Sequence, residues 1–322
     1  MKLFTYQRAK NESDAIVSGG TYLAGGTSLV DLLKLEVLNT DRVTDLGKLD
    51  LRQIEADAKG LTLGALASNS AVAGHGDVKQ RWPGISQALL SGASPQLRNV
   101  ATVGGNLLQR TRCAYYRDLG TRCNKRVPGQ GCDAIEGWTR MHAILGTSDK
   151  CIAAHPSDFC VALAALDAVV HVKGPKGERE FPLTDLHLLP EDHPEREFSL
   201  NDGELITHVF VPASPSALKS RYVKARDRQS YAFALASCAA GLEIAGGIIR
   251  SARFAMGGVG TKPWRVAEAE QSLVGAAPSK AAFQKAADLA LRGAKPQGEN
   301  AFKAELAKRC VVRALTTSAE AA

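Results

Sequence analysis

Hydrophobic and polar positions along the chain switch between a period near two and a period near 3.6, and the switches divide it into elements. KLFTYQRA reads as a strand, followed by a short helix over SDAIVS for which Ser13 is the expected N-cap. Tyr22-Leu23-Ala24 reads as a strand end running into Gly25-Gly26-Thr27-Ser28 and an amphipathic helix over Leu29 to Val37. VTDLGKLDLRQIEA and GLTLGALAS predict short strands, GISQALLSGA a helix, and LRNVATVGGNLLQR a second glycine turn. Ser157-Asp158 opens the apolar run FCVALAALDAVVHV as a helix N-terminus, with Asp158 placed against the dipole. PEDHPEREFSLNDGE is a polar linker, and Val211 to Ser220 reads as a domain boundary. Beyond it, YVKARDRQSYAFALASCAAGLEI and GIIRSARFAMGGVG predict antiparallel strands. Helices over WRVAEAEQSLV, KAAFQKAADLALRG and NAFKAELAKRCVVRALT close an α+β domain.

One stretch follows neither period. Cys113 to Cys151 is a C-x9-C-x8-C-x18-C run that holds four of the seven cysteines and is rich in Gly, Arg and Lys. An irregular segment of that length needs something besides a core to hold it. Four thiolates on a [4Fe–4S] cluster would do so. Structural zinc favours tight C-x2-C pairs, and no gap here is that short. Disulfides suit smaller secreted domains. Spacing alone favours the cluster, with zinc and unrelated surface cysteines left open.

Both glycine turns can offer backbone N–H groups and a small hydroxyl to an anion, and two such turns suit one long ligand. The first is neither G-x-G-x-x-G nor a P-loop. Gly129-Gln130-Gly131-Cys132-Asp133-Ala134 matches a dinucleotide fingerprint by letter, but no strand precedes it. Asp158 reads as a helix cap or as a ligand to a sugar hydroxyl. The length of 322 residues predicts two or three domains, and 45% hydrophobic residues supply a core. The net charge of +7 does not signal nucleic acid, because no basic recognition helix or aromatic-interleaved motif is present. Arg110, Arg112, Arg117, Arg122, Lys125, Arg126, Arg140 and Lys150 instead gather in the cysteine stretch, where they suit an anionic cluster or a diphosphate. No apolar run is long enough to span a membrane, and MKLFTYQRAKNESD has no signal-peptide h-region.

AGGTSLVDLLK, ATVGGNLL, HPSD, YVKARDR with YAFA, and GGVGTKPWR together resemble the FAD-binding subunit of molybdenum hydroxylases of the xanthine dehydrogenase family. NLLQRTRC, CNKRVPGQGC and CIAAHPSD are similar, more narrowly, to the FAD and [4Fe–4S] subunit of bacterial periplasmic aldehyde oxidoreductases. The resemblance implies an α+β chain. Residues 1–214 would form a PCMH-type, vanillyl-alcohol-oxidase-like FAD domain of two α/β subdomains, with a cluster-binding insertion at about 110–152. Residues 215–322 would form a CO-dehydrogenase-flavoprotein-type C-terminal domain. It implies Leu23, Ala24, Gly25, Gly26, Thr27, Ser28 and Leu29 around the FAD diphosphate, with Thr102, Gly104, Gly105 and Asn106 beside it. Asp158 would meet the ribityl chain, and Val211 and Lys224 would lie near the isoalloxazine. Cys113, Cys123, Cys132 and Cys151 become cluster ligands, leaving Cys160, Cys238 and Cys310 as buried thiols.

No residue of this chain is then a general acid or nucleophile, and His155, ahead of Pro156, is structural. The partners implied are a subunit with two [2Fe–2S] clusters and a large molybdopterin-binding subunit, assembled as a heterotrimer that oxidises aldehydes. The implied location is the periplasm, by export alongside a signal-bearing partner, with the cytoplasm as the alternative. Related readings are a xanthine dehydrogenase-like or hydroxybenzoyl-CoA reductase-like flavin subunit. From a different class comes a zinc-stabilised, non-redox binding protein. Two departures stand out. The last cysteine gap is longer than in the benzoyl-CoA reductase pattern, and Phe302-Lys303 replaces the Tyr-Arg of many relatives.

Overall fold

A computed structural model of the chain describes residues 1–321 and contains three β-sheets. Strands β1 (Thr5–Arg8), β2 (Thr21–Leu23) and β3 (Arg42–Asp45) form a small parallel sheet in the order β1–β3–β2. Parallel neighbours need crossover connections. The helices Glu12–Ser18 and Leu29–Lys34 lie between these strands in sequence. The first of them starts ahead of the expected cap, because Asn11 rather than Ser13 accepts the Asp14 N–H at 2.8 Å.

A five-stranded antiparallel sheet follows, built from β4 (Ile54–Ala56), β5 (Gly60–Gly64), β6 (Val169–Gly174), β7 (Gly177–Pro182) and β8 (Leu205–Pro212). Its order is β4–β5–β8–β6–β7. The apolar run after Ser157 divides into the helix Asp158–Ala165 and strand β6, with Asp167 in a left-handed turn (φ 55°) between them. That helix is buried from Phe159 to Ala165, as expected for a helix apolar all round. It packs between the main core and the third sheet.

The third sheet is antiparallel, with β9 (Arg221–Ala225), β10 (Ala236–Ala245) and β11 (Ile248–Gly257) in the order β11–β10–β9. Helices Ala267–Gln271, Lys280–Ala290 and Phe302–Glu320 cover it. The last one buries Ala307, Cys310, Val311, Ala314 and Leu315, a single stripe at 3.6 spacing.

The cysteine stretch is irregular apart from the short helix Ala114–Arg117, as its lack of period predicts. It is anchored at both ends of the molecule. Tyr116 and Cys123 pack on Leu32 of the helix after the first glycine turn, while Ile144 and Leu145 join the core of the C-terminal sheet. Arg126 fastens its interior by donating to the carbonyls of Tyr115, Tyr116, Asp118 and Thr121.

Candidate functional site

The first glycine turn is a row of free donors. Among the described residues, no backbone N–H from Ala24 to Leu29 donates to another group of the chain. Gly26 holds a positive φ of 74°, a conformation that glycine adopts without strain and that helps backbone N–H groups converge on an anion. Gly25 lets the turn lie against the end of helix Pro95–Val100, since a Cβ there would sit 2.0 Å from the Val100 carbonyl oxygen. Ser28 does not cap the helix that follows, so its hydroxyl stays available. Thr27 and Ser28 reach a cleft; Leu23 ends β2, and Ala24, Gly25, Gly26 and Leu29 shape the turn behind them.

The second glycine segment departs from expectation. It is not an open turn but a one-turn helix, Val103–Leu107, capped by Thr102, whose Oγ1 accepts the Gly105 N–H at 3.2 Å. Val103, Gly104 and Asn106 donate to Ala67, Ala65 and Thr102 carbonyls. All four donors are therefore occupied within the chain, and none is left for a phosphate. Gly104 packs on Ala65; only Gly105 and Asn106 face the cleft. This segment is a wall, not a second anion cradle.

The cleft has two chambers of about 460 and 400 Å³ that share Arg112, Arg117, Pro156, Asp158 and Phe233. Volumes of this size suit an extended cofactor. The first chamber begins at Thr27 and Ser28. Arg112 Nε and Arg117 Nη1 are buried there without partners, although both guanidiniums are tethered to Asp31, at 3.0 and 2.7 Å. Six free amides and two unpaired guanidinium donors at one end of a cleft fit a diphosphate. Deeper in, Asp158 accepts from Tyr222 Oη (2.5 Å) and Lys224 Nζ (2.7 Å), and Lys224 also donates to the Ser91 carbonyl. The acid and the lysine are thus a buried pair lining the first chamber. Ser157, not Asp158, caps the helix through the Cys160 N–H. Val211 does not reach the cleft: it is fully buried in β8 opposite Leu61, within the main core.

Several residues in or behind the cleft escaped the sequence reading. Tyr222 was legible two residues before Lys224, on the same face of β9. Tyr231, Phe233 and Trp138 rim the chambers from loops, where no period marks them. Arg112 stacks over Phe233 at 5.4 Å.

Cys113, Cys123, Cys132 and Cys151 converge from the irregular stretch, and Cys123 and Cys132 face each other in an isolated antiparallel bridge. Burial pushes the Cys113 thiol up to about 12 and Cys151 up to about 11, with neighbouring sulfurs adding to the shift. Burial raises Cys132 as well, again reinforced by Cys123. Backbone N–H groups nevertheless point at these sulfurs: Tyr115 and Tyr116 at Cys113, Ala134 and Ile135 at Cys132, Ala153 at Cys151. Amides aimed at sulfur favour thiolate, the form that ligates a metal, so these contacts would suit four sulfurs bound to one.

Zinc at about 2.3 Å from each sulfur would hold its ligands within about 4.6 Å of one another. Among the described residues no three of these sulfurs lie mutually within 4.8 Å. The donor set and its spread fit a polynuclear cluster better than one ion. Most of the basic residues here are engaged locally: Arg110 and Lys125 pair with Glu197, Arg122 with Asp133, Arg140 with Asp227. The remaining cysteines, Cys160, Cys238 and Cys310, are buried in other elements.

His155 is buried against His187, with ring centroids 4.4 Å apart, and Cys160 lies beside them. His155 Nδ1 accepts the Ser157 N–H and His187 Nε2 faces the Leu107 carbonyl at 2.9 Å. These outer contacts set the tautomers, leaving His155 Nε2–H and the His187 Nδ1 lone pair buried without hydrogen-bond partners. Burial drives His187 down to about 4 and His155 well below its usual range, and the pair stays neutral. His155 lines the second chamber, with His187 packed behind it.

Comparison with known proteins matches residues 4–214 to the FAD binding domain in molybdopterin dehydrogenase and residues 221–318 to the CO dehydrogenase flavoprotein C-terminal domain. The aldehyde oxidoreductase FAD-binding subunit PaoB of Escherichia coli K12 is 46% identical over 98% of both chains. The glyceraldehyde dehydrogenase medium chain of Sulfolobus acidocaldarius is 27% identical, over 84% of this chain and 81% of that one. A solved structure of CO dehydrogenase from Oligotropha carboxidovorans superposes with a TM-score of 0.79 at 23% identity, covering 100% of this chain and 99% of that one.

Proposed function

The chain belongs to the FAD-binding subunits of the molybdopterin dehydrogenases, and from that premise we propose that it is the FAD and [4Fe–4S] electron-transfer subunit of an aldehyde-oxidising complex. The observation that carries the reading is one cleft joining two prepared sites. The free amides of the first glycine turn stand at one end, Arg112 and Arg117 line both chambers, and Cys113 of the four-cysteine site lines the second. When bound, the flavin supplies exchange between one-electron and two-electron transfer, and the cluster a one-electron centre.

The residues of this chain bind, orient and shield. Ala24 to Leu29 would hold the diphosphate through their N–H groups, with Arg112 and Arg117 neutralising it. Asp158, pinned by Tyr222 and Lys224, would present fixed carboxylate oxygens to hydroxyls of the cofactor's sugar-like chain. Phe233, Tyr231 and Trp138 limit water at the chambers. The match to FAD-binding subunits, one of them named as belonging to an aldehyde oxidoreductase, supports a relay role with substrate oxidation on partner subunits. The aldehyde as substrate is supported by the 46% identical relative named as an aldehyde oxidoreductase subunit. Relatives named as medium chains support assembly with partner subunits, which on this reading are a [2Fe–2S] subunit and a molybdopterin subunit.

Cofactor analysis tests the reading. Anaerobically purified complex should carry one FAD and, on this chain, about four iron and four sulfide, the content of a [4Fe–4S] site. Cys113→Ser, Cys123→Ser, Cys132→Ser or Cys151→Ser should lower that iron, and Cys238→Ser should not. Stoichiometric zinc without sulfide on this chain sinks the cluster.

A further inference from the structure

We propose that His142 is a positioning residue for the cluster, its Nε2–H donating a hydrogen bond to Cys113 Sγ that raises the cluster's reduction potential. The inference rests on the [4Fe–4S] reading above. Nε2 lies 3.1 Å from Sγ, close for a contact to sulfur. A ligating sulfur carries no proton, so the proton in this contact resides on Nε2. Its other nitrogen, Nδ1, is buried and meets no acceptor that would hold a proton there. Among the described residues His142 is the only side chain hydrogen-bonded to any of the four ligand sulfurs.

The imidazole is held from both sides of its backbone. The His142 N–H donates to Thr139 at 2.7 Å, and its carbonyl accepts Lys303 Nζ at 2.9 Å. Lys303 is fully buried and also reaches the Gly258 carbonyl at 2.8 Å. Lys303 therefore ties the C-terminal helix, the GGVG turn at the cleft and the cluster loop to one point. That contact gives the Phe302-Lys303 departure a structural role. Cys113 and His142 both line the second chamber, so the bond acts on the ligand sulfur that borders the cleft. A donor to a thiolate ligand favours the more negative, reduced cluster, and losing it lowers the potential.

The test is an EPR-monitored redox titration of the assembled complex, following the signal that Cys132→Ser abolishes. In His142→Phe, iron and sulfide should stay at wild-type levels. Its reduction equilibrium should shift against the reduced cluster by about tenfold, about 59 mV for one electron. His142→Gln, which retains an N–H donor, should recover most of that shift. Pulsed EPR on wild-type complex labelled with 15N-histidine should show one histidine nitrogen coupled to the reduced cluster, a readout that needs no variant. An unchanged midpoint in a fully loaded His142→Phe, or no histidine coupling in the wild type, overturns the inference. So does loss of iron in His142→Phe as complete as in Cys113→Ser. Wild-type complex without sulfide on this chain overturns the cluster reading itself, and is seen before any titration begins.

Discussion

Replacing Gly25 with alanine is the sharpest perturbation of the anion cradle. The new Cβ would lie 2.0 Å from the Val100 oxygen, 2.8 Å from its carbonyl carbon and 3.3 Å from Ala101 Cα. All three are backbone atoms, so no rotamer relieves the clash. Ordinary contact begins at 3.4 Å, and the turn must therefore shift by more than an ångström from helix Pro95–Val100. Overpacking of this kind costs about 1–3 kcal/mol in stability. Binding suffers more, because constellations of donors tolerate displacements of only about 0.5 Å. Each hydrogen bond lost to a charged phosphate weakens binding by about 1.5–3 kcal/mol, tenfold or more in affinity. The assay is flavin absorbance per protein after purification, followed by titration of the apoprotein with FAD. We expect Gly25→Ala to lose FAD and keep its iron. Gly104→Ala, whose Cβ meets Ala65 Cβ at 3.2 Å and its oxygen at 3.3 Å, should retain flavin after small adjustments. Wild-type affinity in Gly25→Ala would refute the assignment of this turn.

Two further outcomes follow from ionic contacts. Burial, and then the charge of Arg140, push the Lys303 ammonium down to about 7 from its usual range near 10.5. Below pH 7 the amine is charged in both folded and unfolded chain, and the fold bears the full cost of burying it. Between pH 7 and about 10 the unfolded chain binds more protons, so stability rises with pH by a few kcal/mol. Thermal midpoints across that window should rise in wild type relative to Lys303→Met, and a constant difference between the two would contradict the assignment. Asp31→Ala releases Arg112 and Arg117, which join the cluster loop to the first turn's helix. Its effect on global stability should be within about 1 kcal/mol, because these groups are partly exposed. Limited proteolysis between residues 117 and 131 should nevertheless quicken, and an unchanged rate would show that the tether is dispensable.

Local sequence carried the first turn, the irregular cysteine loop and the stripe of the last helix, because each depends on neighbours within a few positions. It misled where a distant partner decides. Thr102 followed by two glycines looks like an open turn, yet the carbonyls of Ala65 and Ala67 occupy its donors and wind it into a helix. The apolar run after Ser157 breaks at Asp167, which is paired with Arg253 and Arg265 from the far end of the chain. Val211 alternates correctly along β8, but its face turns to the core and not to the cleft. Asn11 and Ser13 are both good caps; the hydrogen bond to Asp14 selects Asn11. The four cysteines could be singled out by clustering, whereas His142, inside the same stretch, meets Cys113 only in the fold, and Lys303 reaches the His142 carbonyl from the last helix.

The central claim, that this chain relays electrons and does not oxidise the substrate, is tested most directly by anaerobic stopped-flow at the flavin band. The isolated, cofactor-loaded chain is mixed with aldehyde, and then the same experiment is run with the molybdenum and [2Fe–2S] subunits present. We predict no bleaching in the isolated chain, although dithionite reduces it and an artificial acceptor reoxidises it, and prompt bleaching in the assembled complex. Bleaching by aldehyde in the isolated chain would place the substrate site here and contradict the account.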